Sequence, residues 1–108
     1  MNVTMRFRGV SSSAELTDFV LQRSARALGR FDVRDVHITL EDVNGPRGGK
    51  DKQCKLRVRF GTAEVVLVCL GFSEFAVVEE AFSRLREQVA RLHGRRQAFD
   101  RRALMGLA

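Results

Sequence analysis

The sequence predicts an α+β domain of order βαβββα: a four-stranded mixed sheet with two helices packed on one face. Three observations predict it. Four segments alternate apolar and polar residues, the period of two that a half-buried strand requires. Two longer segments carry apolar residues at helical spacing. A tight turn and a long polar stretch separate the later strands. The chain has 108 residues, 44% hydrophobic and 30% charged. That suits one domain with a core of its own. Residues 1–96 are assigned to this domain and 97–108 to a basic C-terminal tail.

Val3, Met5 and Phe7 alternate with Thr4, Arg6 and Arg8, giving a first strand. Ser12 followed by Glu15 has capping-box spacing. A helix is expected from about Ser13 to Leu28, with Leu16, Val20, Ala27 and Leu28 inward and Phe19 at the edge. Gly29 is its natural stop. Val36, Ile38 and Leu40 alternate with His37, Thr39 and Glu41, giving a second strand. Asp42 to Gln53 is polar, holds Asn44-Gly45-Pro46-Arg47-Gly48-Gly49, and reads as a loop. Cys54, Leu56, Val58 and Phe60 alternate with Lys55, Arg57 and Arg59 in a third strand. Gly61-Thr62 suits a type II′ hairpin turn. The fourth strand, Ala63 to Leu70, turns Ala63, Val65, Leu67 and Cys69 inward. Ser73 caps a second helix over about Glu74 to His93. Phe75, Val78, Phe82, Leu85, Val89 and Leu92 form its apolar stripe, and Gly94 is expected to end it. The first helix serves as a right-handed crossover between two parallel strands. The other sheet face is left to solvent or to a partner.

Counting outward from the Gly61-Thr62 turn places Cys54 directly opposite Cys69. Such a pair suits a redox switch, half a metal site, or two small buried hydrophobes. His37 points to the other face, so no third ligand is at hand, and reduced buried thiols are expected.

Lys and Arg total 19 against 13 Asp and Glu, a formal charge of +6. Only Lys50, Lys52 and Lys55 are Lys, so the cations are nearly all guanidinium, which binds phosphate in a bidentate fork. Charge alone leaves two readings: a phosphate-rich partner, or an ordinary basic protein. Arg84, Gln88, Arg91 and Arg95 follow at i, i+4, i+7 and i+11, within about 60° on a helix. Arg96 follows this row in the chain as a further candidate contact. From Arg84 to Arg102, seven Arg stand against Glu87 and Asp100. Arg23, Arg26 and Arg30 form a smaller row on the first helix. Two rows lining one groove suit a nucleic-acid backbone, whose phosphates repeat. Lys55, Arg57 and Arg59 lie on the opposite sheet face, where they form a second basic surface or pair with Glu41 and Glu64; the pairing is expected. Arg47, Lys50 and Lys52 leave two readings, a phosphate contact or a plain hairpin end.

There is no Trp and no Tyr. Each Phe of a strand or helix is expected on the core side, which argues against recognition by base stacking. Shape and backbone recognition of structured RNA, or protein binding, remain. His37 and His93 lie on different elements with no evident partner. Gly45 to Lys50 lacks the P-loop spacing. Neither an enzyme, a small-molecule substrate, a cofactor nor a metal is indicated. No apolar run reaches the roughly 20 residues of a membrane helix. Met1 to Val10 lacks a signal-peptide stretch. With two Cys and no disulfide framework, a cytoplasmic location is expected, with no membrane contact.

Several stretches, together with the element order, resemble the ribosome hibernation promoting factor family, also described as ribosome-associated inhibitors and sigma-54 modulation proteins. They are Leu40-Glu41-Asp42-Val43-Asn44-Gly45-Pro46-Arg47-Gly48-Gly49 with Asp51-Lys52, Arg84-Leu85-Arg86-Glu87-Gln88-Val89-Ala90-Arg91, and Phe19-Val20 with Arg23 and Arg26. The resemblance covers roughly Val3 to Arg96, and the length is similar to short members. It implies a double-stranded-RNA-binding-like fold. It also implies binding to the small ribosomal subunit and its rRNA, in the channel used by mRNA and tRNA. Carried over by position, Arg23, Arg26, Arg84, Arg91 and Arg95 would contact rRNA, with Arg30, Gln88 and Arg96 beside them. Such a protein is a stress-linked translation inhibitor. Glu87 stands where members usually carry Arg, Phe75 where Tyr is common, and Ser73 where Asp is common. Val66, Val68 and Leu70 are apolar where the last strand is usually polar. Facing solvent they form an apolar patch, which favours the alternative of a protein-interaction module or homodimer.

Overall fold

Alternation sorts the side chains of every strand by face, and the structure, a computed structural model, follows it. The order is β1 (Asn2–Arg8), α1 (Ala14–Leu28), β2 (Val33–Asp42), β3 (Lys52–Phe60), β4 (Ala63–Gly71) and α2 (Glu74–Leu104). The structure describes residues 1–43 and 51–104, with side chains for 1–43 and 51–94. The sheet runs β1-β2-β3-β4. β1 and β2 are parallel, and the other two pairings are antiparallel. This is the expected mixed sheet.

Val36, Ile38 and Leu40 of β2 are buried, as are Cys54, Leu56, Val58 and Phe60 of β3 and Val65, Leu67 and Cys69 of β4. They meet Leu16, Val20, Ala27 and Leu28 of α1 and Val78, Phe82, Leu85 and Val89 of α2. Val77 and Ala81 are buried as well and widen the apolar face of α2 beyond the stripe read from the sequence. Ser24 is also buried in α1, where its hydroxyl donates to the Leu21 carbonyl at 2.9 Å. A short hydroxyl can enter a core only with such a bond.

The β3–β4 hairpin keeps the expected register, with Phe60 opposite Ala63 and Cys54 opposite Cys69. Gly61 alone of the two turn residues has a positive φ, 59°, as a type II′ turn requires.

Four local expectations are corrected. Ser13, not Ser12, caps α1: its backbone is extended and its Oγ accepts from the Leu16 N–H at 3.1 Å. Ser73 caps α2 as expected, accepting from Ala76. Gly94 does not end α2, which continues to Leu104. A glycine often stops a helix by taking the left-handed conformation, but among the described residues only Gly9 and Gly61 have positive φ, and Gly29 caps α1 with a φ of -61°. Phe75 is 41% exposed rather than core-facing. It sits on the shoulder of α2 and meets Phe19 of α1 edge-on, ring centroids 5.1 Å apart. His93 has partners after all, packing edge-on against Phe31 at 5.5 Å and Phe60 at 6.0 Å.

Sheet and helix approach closely at Gly71, where an added Cβ would lie 2.9 Å from the Val77 Cβ. Gly71→Ala is therefore expected to lower unfolding stability by about 1–3 kcal/mol. Gly94 has no neighbour within 4 Å of an added Cβ. Gly94→Ala is expected to raise stability by up to about 1 kcal/mol through helix propensity. Urea unfolding of the two variants checks both signs.

Candidate nucleic-acid interface

Because α1 and α2 lie side by side on one sheet face, each turns one flank toward the other. Arg23, Arg26 and Ala27 of α1 face Glu79, Phe82, Ser83 and Arg86 of α2 across a groove of about 190 Å³. Glu79, Ser83 and Arg86 follow at i, i+4 and i+7, one stripe of the helix. The groove thus holds three guanidinium groups and one carboxylate.

Arg23 is the most constrained of the three. Its guanidinium lies 4.9 Å from the centroid of the Phe19 ring. Its Nη2 is 3.3 Å from Glu79 Oε1. Its Nε is buried and has no hydrogen-bond partner among the described residues. Phe19 in turn rests on Phe75, so an aromatic pair braces the arginine from below. Stacking leaves the charge in place while restricting the side chain's rotamers.

The two arginine rows expected to share a groove do not. Arg84 lies on the opposite flank of α2, toward the Cys69 thiol of β4, and its Nη2 is 2.6 Å from Glu80 Oε1. Gln88 and Arg91 follow on that flank and are exposed. Arg86 takes the place assigned to Arg84 in the groove. The Glu79-Ser83-Arg86 spacing carried that signal, but only the position of α1 shows which flank matters. Arg30 is exposed in the turn after α1 and does not line the groove. Arg95 and Arg96 continue the α2 backbone, and their side chains lie outside the described residues.

Arg47 and Lys50 also lie outside the described residues. Lys52, grouped with them as a loop residue, belongs to β3. Its Nζ is 2.8 Å from Asp42 Oδ2 and 3.6 Å from Asp51 Oδ2. The hydrogen bond to Asp42 raises its pKa. Lys52 clamps the ends of β2 and β3 rather than offering a free cation.

The open sheet face carries Lys55, Arg57 and Arg59, all exposed. Arg57 is bonded to Glu64, as expected, and this contact holds the Glu64 carboxyl below the usual range. Glu41 does not take the second pairing: in register it stands between Arg8 and Gln53. β4 is an edge strand. Its Val66, Val68 and Leu70 are 51%, 50% and 47% exposed.

A sequence pattern described as Sigma 54 modulation protein / S30EA ribosomal protein matches residues 3–97. Among solved structures, the fold is similar to that of a ribosomal subunit interface protein from Coxiella burnetii. There the TM-score is 0.76 at 17% identity, over 87% of this chain and 99% of that one. It is also similar to the N-terminal domain of Protein Y from Thermus thermophilus. That TM-score is 0.71 at 19% identity, over 85% of this chain and 99% of that one. No curated protein sequence matches.

Among the described residues no group of His, Cys, Asp and Glu is placed to hold a metal ion. No helix among them is long and apolar enough to cross a membrane. Cys54 and Cys69 are both buried and unbonded. Burial, and then the neighbouring Cys69, pushes the Cys54 thiol up to about 12. Burial raises Cys69 too, partly offset by Arg84. Only the thiolate attacks a disulfide reagent. Neither thiol of the native protein is therefore expected to react with a chromogenic disulfide at neutral pH, whereas both react in denaturant. A raised Cys54 also implies stability that is intact below about pH 9 and declines as pH climbs toward 12.

Proposed function

The chain belongs to the Sigma 54 modulation protein / S30EA ribosomal protein family, and from that premise we propose that it is a ribosome-binding translation inhibitor, a hibernation factor. In this reading it binds small-subunit rRNA through helix arginines and occupies the channel of mRNA and tRNA. Its place of action is the cytoplasm, and it needs no catalytic step or cofactor. Residues 1–96 are the ribosome-binding unit, and 97–108 a basic extension.

The observation that carries the reading is the groove where Arg23, Arg26 and Arg86 converge, with Glu79 the one carboxylate among the described residues that line it. A run of phosphates is met by cations held at fixed spacing, and ordering them beforehand removes part of the entropic cost of binding. Arg30, Arg84, Gln88, Arg91, Arg95 and Arg96 supply a wider field on the flanks of the helices. One solved neighbour of the same fold is described as a ribosomal subunit interface protein, which supports this reading.

A second reading rests on β4. An edge strand with three half-exposed apolar residues is a site of strand or sheet association, and a homodimer is its simplest form.

Charge neutralisation of the groove, with Arg23→Gln, Arg26→Gln and Arg86→Gln combined, is expected to abolish co-sedimentation with small subunits at moderate salt. Each phosphate that the variant no longer neutralises should reduce the log–log salt slope by about 0.7–0.9. Unchanged co-sedimentation would overturn the groove's role. For the second reading, sedimentation velocity is expected to show self-association that is insensitive to salt and abolished by Val68→Glu. A monomer at every concentration would dismiss it.

A further inference from the structure

The open face of the sheet carries an arrangement that the groove between the helices does not use. Arg6 of β1 stands opposite Thr39 of β2, and Thr39 opposite Lys55 of β3. In the next row Thr4 stands opposite His37, and His37 opposite Arg57. These six side chains line a depression of about 220 Å³. β2 forms its bed with a hydroxyl and an imidazole, while the flanking strands raise long cations on both banks. The banks lie two strand spacings apart, about 10 Å. Arg and Lys side chains reach across that distance to an ion seated between them.

Neither Arg6 nor Lys55 has a carboxylate partner among the described residues. Arg57 is bonded to Glu64 and forms a wall rather than a free donor. Two cations without partners, beside hydroxyl and imidazole donors, match the oxygens of a phosphate group. The bed also sets the length of what fits. Along β2 the open-face residues are Asp35, His37, Thr39 and Glu41. A carboxylate thus stands in the row beyond each end, beside Arg59 at one and Arg8 at the other, and between them lie only two rows, about 7 Å along the strand.

We propose that this trough is an anion site for one or two phosphate groups, bound between Arg6 and Lys55 over Thr39 and His37. The phosphate comes from one of two sources, a small phosphorylated ligand or a single step of an RNA backbone. The short bed favours the first, since only the rows of His37 and Thr39 lie between Asp35 and Glu41. The site is on the sheet face opposite the helices, so it stands or falls independently of ribosome binding through the groove.

The test is a titration of the isotope-labelled full chain, followed by amide NMR, with inorganic pyrophosphate and separately with a short single-stranded oligouridylate. Shifts centred on Arg6, His37, Thr39, Lys55 and Arg57 are expected with pyrophosphate. Arg6→Gln with Lys55→Gln should weaken that binding at least tenfold and leave co-sedimentation with small subunits in place. Arg59→Gln, outside the trough, should leave pyrophosphate binding unchanged. Pyrophosphate binding at least as tight as oligouridylate at these residues assigns a small ligand. Tighter oligouridylate binding there assigns the RNA backbone. Shifts confined to α1 and α2, or none with either probe, would overturn the site.

Discussion

The burial of one sheet face beneath two helices is the interaction on which the rest depends. A fully buried Leu or Phe contributes about 1.5–3 kcal/mol, and the inward residues of β2, β3 and β4 are buried almost without exception. No surface contact approaches that sum. A strand has a period of two, so burying its apolar set obliges the polar set to face outward. The cationic open face is therefore a by-product of the same pattern that makes the core. The helix flanks follow in the same way. Once the apolar stripe of each helix is down, the residues beside it meet across the seam, and Arg23, Arg26 and Arg86 come together there.

The cations are held in different ways. Exposed ion pairs contribute about 0–1 kcal/mol. Arg84 with Glu80 can thus be exchanged for a phosphate at small cost. Arg23 is another case: Phe19 and Glu79 fix it from two sides, and its direction is set before any partner arrives. Lys52 lies between Asp42 and Asp51, and its task is to close the strand ends. Identical charges in the sequence therefore have different availability in the fold.

Most of the fold is legible in the sequence. Each strand announces itself by alternation, and each helix by a cap and an apolar stripe. The Gly61-Thr62 turn sets the register that puts Cys54 against Cys69. The points where expectation and structure part share a cause. Gly94 has the residue type of a helix stop, yet residue type permits an end without imposing one: Gly29 ends α1 in a right-handed conformation, whereas α2 runs on past Gly94. Phe75 has the spacing of a core residue, yet the face of α2 is centred on Val77, Val78, Ala81, Phe82 and Leu85, and Phe75 falls at its margin. The site is less legible. Arg84 and Arg86 look alike in sequence, on the two flanks of one helix.

The amino-acid sequence by itself determined the inward set of the strands, the order of the elements, the pairing of the hairpin and the excess of arginine. These are local or short-range quantities, written in periods of 2 and 3.6. The tertiary structure decided which cations act together. It placed Arg86 beside Arg23 and Arg26, sent Arg84 toward β4, and set Arg6 across β2 from Lys55. The reason is physical: a helix has two flanks and a strand two neighbours, and only the packing of distant segments chooses between them.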